Sequence, residues 1–312
     1  MEQRNTQRTM LGEVEVVRVV EWQGAFAPAR GLVPESRAEM WKDNEDWLAP
    51  DHWQPDSDTA VMALQTWVLR SGGRTILIDT GVGNGRERPG MPHFHHWQGD
   101  FLGHLARAGV RPEDVDIVVN THIHADHVGW NTMEVDGRWV PTFPNAQYLV
   151  PAADDLHFGT PRADAPRDSG PTDDDLVYAD SIAPLHRSGQ AVLWDGAHRI
   201  DDHLTLESAP GHTPGSCLLR LASGEARAVF VGDLLHSPVQ ILAPSCNSCF
   251  CLNPEQAAAT RHRILRRAAT EGELIIPAHF AGTGAVEVHR TGESLTPGRW
   301  LPLGTALAGG GG

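Results

Sequence analysis

Tyrosine and cysteine are scarce in this chain, and basic residues are outnumbered. Its 312 residues include 2 Tyr and 4 Cys, and 25 Lys+Arg stand against 40 Asp+Glu. Three of the cysteines crowd into one stretch, Cys246 to Cys251, so a disulfide scaffold is excluded. A formal net charge of −15 repels phosphate backbones and anionic lipid, so neither a nucleic acid nor a membrane is expected as a partner. No apolar run is long enough to span a bilayer. The opening MEQRNTQRTM is polar and lacks the apolar stretch of a secretory signal, which makes a cytoplasmic location the expectation. Disorder is also excluded: 40% hydrophobic and 21% charged residues is ordinary globular composition. Histidine, by contrast, is plentiful. At 17 residues it invites a search for metal ligands.

Strand and helix patterns alternate along the chain. Glu13 to Val20 alternates as a strand. Residues 23–60 are rich in Pro, Trp and Asp without a period, and read as a long surface excursion that shapes a site. Met62–Arg70 and Thr75–Asp79 read as a hairpin across Ser71-Gly72-Gly73. Residues 99–109 suit a short helix, 116–120 and 147–150 strands, 159–175 a mobile loop and 174–187 a helix. Strands are expected near 191–194, 203–208, 217–221 and 228–231. Asn253-Pro254-Glu255 is a helix start, with Gly272 as its stop. A strand at Leu274–Ile276 ends at Pro277-Ala278-His279. One layered α/β domain is expected over 12–303, between flexible termini at 1–11 and 304–312.

The informative segment is Thr121-His122-Ile123-His124-Ala125-Asp126-His127, directly after an apolar strand. His122, His124, Asp126 and His127 are four ligand-type side chains in six residues, with no apolar period that packing would require. A strand end holds the backbone while a turn sends neighbouring side chains in different directions. Such a segment can supply two metal ions about 3.5–4 Å apart. Ligand types recur at other strand ends. His212 sits in Pro210-Gly211-His212-Thr213-Pro214-Gly215, whose Gly and Pro already make the turn. Asp233 ends the apolar AVFVGD and is costly there unless paired or metal-bound. His279 ends LIIPAH in the same way.

HxHxDH, then GHTPG, then GD after a strand, then a late PAH resembles the metallo-β-lactamase superfamily across residues 75–280. The resemblance implies an αββα sandwich of two similar halves with a site at its edge. It implies one metal held by His122, His124 and His212, and a second held by Asp126, His127 and His279, with Asp233 bridging both. Asp79 matches the family's structural aspartate. The donor set suits two divalent ions, zinc first, while iron, cobalt and manganese tolerate the same ligands. Such a pair lowers the pKa of a bridging water, and the resulting hydroxide attacks a carbonyl or phosphoryl centre. Asp126 then orients the nucleophile and takes up a proton.

Within the superfamily, class B β-lactamases carry Cys at the place of Asp233 or lack the second acid of HxHxDH. Glyoxalase II adds a helical domain, RNA-processing members add basic patches, and flavodiiron proteins add a flavodoxin domain; none is read here. Gly232-Asp233-Leu234-Leu235-His236 with Val239-Gln240 is similar to the methyl parathion hydrolase and N-acyl homoserine lactonase group. The lactonases place a substrate-contacting Tyr where His236 stands, so His236 is the expected donor to a developing oxyanion. Trp130, His157, Phe158 and Phe280 flank the motifs and are expected to line an apolar pocket. Cys246, Cys249 and Cys251 form CxxCxC without a fourth ligand, and read as reduced thiols on a loop near the pocket mouth. The leading expectation is a binuclear hydrolase of a small ester-like substrate, a lactone first. Phosphotriester or aryl-ester hydrolysis is the alternative, a non-catalytic binding member a third, and a homodimer stays open.

Overall fold

Along neighbouring strands, successive apolar side chains take opposite faces, and this alternation builds the layers. Trp67 and Leu69, Ile76 and Ile78, and Ile117 and Val119 face one way; Val68, Leu77 and Val118 face the other. The computed structural model describes residues 6–160 and 170–301. The strands of its first part are β1 (Thr6–Leu11), β2 (Val14–Pro28), β3 (Trp53–Gln54), β4 (Thr59–Ser71), β5 (Arg74–Ile78), β6 (Ile117–Val119), β7 (Thr132–Val135), β8 (Arg138–Pro141), β9 (Gln147–Pro151) and β10 (Ala191–Trp194). They make a sheet in the order β1-β2-β4-β5-β6-β9-β10, with β3 on β4 and β7-β8 as a separate ribbon. The second sheet runs in sequence order: β11 (Ala197–Arg199), β12 (Leu204–Ser208), β13 (Cys217–Ser223), β14 (Ala226–Gly232), β15 (Leu274–Pro277), β16 (Val286–Thr291) and β17 (Ser294–Trp300).

The helices are α1 (Ala29–Leu32), α2 (Ala38–Lys42), α3 (Glu45–Leu48), α4 (Phe101–Arg107), α5 (Ala152–Gly159), α6 (Asp173–Val177), α7 (Ala183–Ser188), α8 (Val239–Leu242) and α9 (Pro254–Glu271). Leu219, Leu221, Phe230 and Ile276 of the second sheet meet the first sheet's Trp67 and Ile78 in the central core. Phe101 and Leu105 of α4 and Leu185 of α7 cover the outer face of the first sheet. Ile264, Leu265 and Ala268 of α9 cover Val229 and Ile275 on the outer face of the second. The result is the αββα sandwich, the metallo-β-lactamase fold. Strands β5, β6 and β9 run parallel, as do β14 and β15. Parallel strands end on the same edge of a sheet, so the residues after β5, β6, β14 and β15 gather at one rim.

Several expectations are corrected. Thr6–Leu11, expected within a flexible terminus, pairs antiparallel with β2 from Thr6↔Val19 to Leu11↔Val14. Residues 23–60 are not a surface excursion. Their Leu32, Trp41, Leu48 and Trp53 are buried in a core of their own against Met62 and Val239. The pattern was hidden because these helices are only four or five residues long, too short to display a period. The helix at 174–187 is interrupted by a π-turn at Tyr178–Ile182. Of the loop expected at 159–175, Gly159 ends α5 and Asp173–Asp175 open α6, which the Thr172 side chain caps, while 161–169 lie outside the described residues. The tail from 302 onward also lies outside them. Asn253 caps α9 through Gln256 N, and Gly272 ends it in the left-handed region at φ 67°, both as expected.

Candidate metal centre

Asp79 follows β5, the histidine segment follows β6, Asp233 follows β14 and His279 lies two residues beyond β15. His212 comes from the β12–β13 turn, where Gly211 has φ 139° and a Cβ would stand 2.3 Å from Ala257 N of α9. Only glycine allows that approach. The resulting cluster is buried, and its donor atoms fall into two groups. His122 Nε2 and His212 Nε2 lie 3.1 and 3.0 Å from His124 Nδ1, and 3.6 and 3.2 Å from Asp233 Oδ2. His127 Nε2 and His279 Nε2 lie 3.2 and 3.0 Å from Asp233 Oδ1, and 3.7 and 3.6 Å from Asp126 Oδ2. One Asp233 oxygen therefore faces each group.

The far nitrogens show what the near ones can do. His127 Nδ1 donates to Asp79 Oδ2 at 2.8 Å and His279 Nδ1 to the Ala63 carbonyl at 3.0 Å. Thr121 Oγ1 donates to Asp79 Oδ2 at 2.8 Å, so it accepts from His122 Nδ1 at 3.0 Å. In each neutral ring the proton is thus held outward and the inward Nε2 keeps its lone pair. Lone pairs converging at about 3 Å repel unless a cation lies among them. Consistently, His127 Nε2 and Asp233 Oδ1 are buried without a hydrogen-bond partner among the described residues. This donor set of imidazole and carboxylate fits zinc or a similar divalent ion.

The field of the site draws positive charge. Burial opposes ionisation of His127, but Asp233, Asp126 and Asp79 outweigh it and hold its pKa well above the usual range. Burial likewise opposes, and Asp233 reverses, the shift of His212, which is pushed up to about 9; His279 is raised by the same balance. His122 and His124 go the other way, well below the usual value, from burial and then from neighbouring imidazoles. Asp233 is held well below the usual carboxylate range: burial opposes ionisation, and His127, His279, His236 and His122 overcome it. A pocket that attracts protons this way also attracts metal ions, and the two compete.

His236 differs from the others. Its Nε2 lies 3.1 Å from Asp233 Oδ2, while its Nδ1 is buried with no partner among the described residues. Nothing holds a proton on Nδ1, so in the neutral ring Nε2–H points at the carboxylate. Burial above all lowers its pKa to about 4, which keeps it neutral near pH 7. The expected oxyanion donor thus directs its N–H to Asp233 rather than into the cavity.

A cavity of about 380 Å³ opens on Asp126, Asp233, His124, His236 and His279. Its walls are apolar: Phe26, Met62, Met91, Phe94 and Phe250. None of the four side chains expected to line it does so. Trp130 stacks on Phe101 at 5.6 Å in the core under α4. His157 is exposed on α5. Phe280 is fully buried between His52 and Trp300. Phe158 reaches the site only through its edge contact with His124 at 6.0 Å. Proximity in sequence to a motif misled because each of these side chains points away from the rim. The true wall comes from β2, β4, the 90–94 loop and the cysteine loop.

Asp154 was not anticipated from sequence. Buried at the start of α5, it accepts from Ile123 N at 2.9 Å, Thr213 Oγ1 at 2.8 Å and Gly215 N at 2.5 Å. It clamps the two histidine-bearing loops together, though burial raises its pKa. No sequence signal marks it, since an Asp at a helix start is common.

Among solved structures, similarity covers nearly the whole chain at low identity. The dizinc quorum-quenching lactonase AidC, solved in complex with a product, matches at 20% identity with a TM-score of 0.76, covering 94% of this chain and 96% of that one. AbOPH, a hydrolase in the β-lactamase superfamily, matches at 22% identity with a TM-score of 0.77, covering 95% and 98%. A Bacillus thuringiensis AiiA mutant with N-decanoyl-L-homoserine bound matches at 14% identity with a TM-score of 0.59, covering 86% and 94%. At such identities the likeness is one of fold. The family model of the metallo-β-lactamase superfamily matches residues 63–279, from the strand beside the cavity to the last histidine of the rim, and the chain belongs to that superfamily.

Proposed function

We propose that this metal-dependent hydrolase opens a lactone bearing an apolar arm, at a centre of two zinc ions. The observation that carries the reading is the position of the apolar cavity: its 380 Å³ end directly on the shared carboxylate of the two donor groups. His122 Nε2, His124 Nδ1, His212 Nε2 and Asp233 Oδ2 would hold one ion. Asp126 Oδ2, His127 Nε2, His279 Nε2 and Asp233 Oδ1 would hold the other. When bound, the pair supplies Lewis acidity and ionises water at neutral pH.

The chain's own residues supply the rest. Phe26, Met62, Met91, Phe94 and Phe250 take the apolar arm out of water and place the ester over the polar floor. Asp126 is half-buried at that floor, open enough to orient water and to take up its proton. On ring opening that proton passes to the leaving alkoxide oxygen, which stays tethered to the product. His236 holds Asp233 Oδ2 at 3.1 Å, its ring 5.1 and 5.3 Å from those of His212 and His279, and lines the cavity there. Lactonases among the solved structures of this fold support the choice of substrate.

The test is a panel on zinc-loaded protein: alkyl- and acyl-substituted lactones, nitrophenyl esters and a phosphotriester, with elemental analysis alongside. The expected result is two ions per chain and the highest kcat/KM on a lactone with a long apolar arm. Preference for the phosphotriester, or turnover that survives exhaustive chelation, would refute it.

A further inference from the structure

The cysteines of the CxxCxC stretch have no place in the reaction described above, yet Cys251 sits against His212. Leu252 N donates to the His212 carbonyl and Asn253 N to the Gly211 carbonyl, both at 2.9 Å. Thr260 Oγ1 of α9 donates to the Pro210 carbonyl at 2.8 Å. The turn that carries His212 is thus seated on the cysteine loop and the helix behind it. Within that seat Cys251 Sγ lies 3.8 Å from His212 Nδ1 and 3.6 Å from Ser248 Oγ. Cys249 is exposed and Cys246 is buried farther back, where its carbonyl accepts from Gln240 and Arg261.

We propose that Cys251 is the positioning residue for His212. Its sulfur accepts the Nδ1–H of the imidazole, its own S–H donates to Ser248 Oγ, and Nε2 is thereby left with its lone pair toward Asp233 and His124. The assignment rests on the metal reading above. It is made by comparison within the site. His127, His279 and His122 have their outer nitrogens held by oxygen: a carboxylate, a carbonyl and a hydroxyl. His212 has sulfur in the same place. A metal-binding histidine needs an acceptor there to select its tautomer and hold its ring, and here the thiol is that acceptor. The same loop carries Phe250, whose ring lies 5.8 Å from His236 in the cavity wall. One segment therefore sets both a metal-binding ring and the substrate wall.

The test is a chelator-competition titration of zinc on the full metal-free chain. It compares wild type, Cys251→Ser, Cys251→Ala, Cys251→Val and the exposed control Cys249→Ala. In the Ala and Val variants the affinity for one of the two ions is expected to fall about 10- to 100-fold. Ser retains a lone pair and is expected to stay nearer to wild type, and Cys249→Ala to match it. Thermal unfolding of the metal-free Val variant, which fills the site with an apolar side chain and leaves no cavity, is expected to match wild type, separating ring placement from folding. Cobalt-loaded wild type is expected to lack a sulfur-to-cobalt charge-transfer band, because the thiol is not itself a ligand. Wild-type zinc affinity in the Val variant, or a charge-transfer band in wild type, would overturn the proposal. Wild type that takes up no zinc at all would instead defeat the metal reading, and this inference with it.

Discussion

Replacing Asp79 by alanine removes one buried carboxylate that belongs to neither donor group, yet both stability and metal binding are expected to suffer. Asp79 accepts from Thr121 N, Thr121 Oγ1 and His127 Nδ1, each at 2.8 Å. Hydrogen bonds to an ionised group contribute about 1.5–3 kcal/mol each, and a buried donor left alone costs about 1–3 kcal/mol. Water entering the vacated space satisfies some of the three donors. Alanine also inherits a φ of 58°, a left-handed conformation that disfavours it by about 1 kcal/mol. The expected loss is about 3–5 kcal/mol, the range for breaking a buried charged network. Asparagine tolerates the same φ and keeps one acceptor, so Asp79→Asn is expected to lose only about 1–3 kcal/mol. Its single oxygen cannot serve Thr121 N on one side and Thr121 Oγ1 and His127 Nδ1 on the other, however, and zinc affinity is expected to fall about 10- to 100-fold. Urea unfolding of metal-free protein, read as midpoint times slope, gives the first quantity, and chelator competition the second. An alanine variant within about 1 kcal/mol of wild type would refute the account of Asp79 as the post behind His122 and His127.

The other predictions concern the shared carboxylate, a buried histidine and the cavity wall. Asp233→Ala is expected to lose both ions rather than one, because each of its oxygens faces a different donor group; retention of a single tight ion by elemental analysis would contradict this. His52 is buried against Trp300 and Phe280, and burial, with help from Arg18, lowers its pKa to about 3. Its unfolded form takes a proton near pH 6.5 while the folded form does not, so its contribution to stability is lost as pH falls from about 6.5 to 3. His52→Phe is expected to flatten that part of the stability–pH curve, and an unchanged curve counts against the assignment. Phe250→Ala is expected to raise KM for long-armed lactones by about 5- to 30-fold, from about 1–2 kcal/mol of lost apolar contact, with kcat little changed. A matching effect on a short-armed lactone would mean that Phe250 does not meet the arm.

The candidate donor residues that cluster at the rim were legible in the chain because chemistry constrains such sets tightly. Four ligand types in six residues after an apolar strand, and single ones after two more strands, have no cheaper explanation in packing. The layers were legible for a similar reason. Apolar runs such as Met62–Arg70 and Ala228–Val231 read as strands, and their successive side chains enter different cores, Ala228 and Phe230 in one and Val229 and Val231 in the other.

Tertiary structure alone decided what surrounds those residues. Trp130, His157 and Phe280 stand next to the motifs in sequence yet face the core or solvent, while Phe26, Met91 and Phe250 arrive at the cavity from distant segments. Asp154, an unremarkable acid at a helix start, becomes the clamp between two loops. The protonated nitrogen of each histidine depends on an acceptor from another part of the chain: Ala63 for His279, Asp79 for His127, Cys251 for His212. Residue type and local spacing determine which atoms can bind a metal. The direction of a side chain, and the partner that sets its proton, depend on contacts between segments 39 to 216 residues apart, which no local pattern encodes.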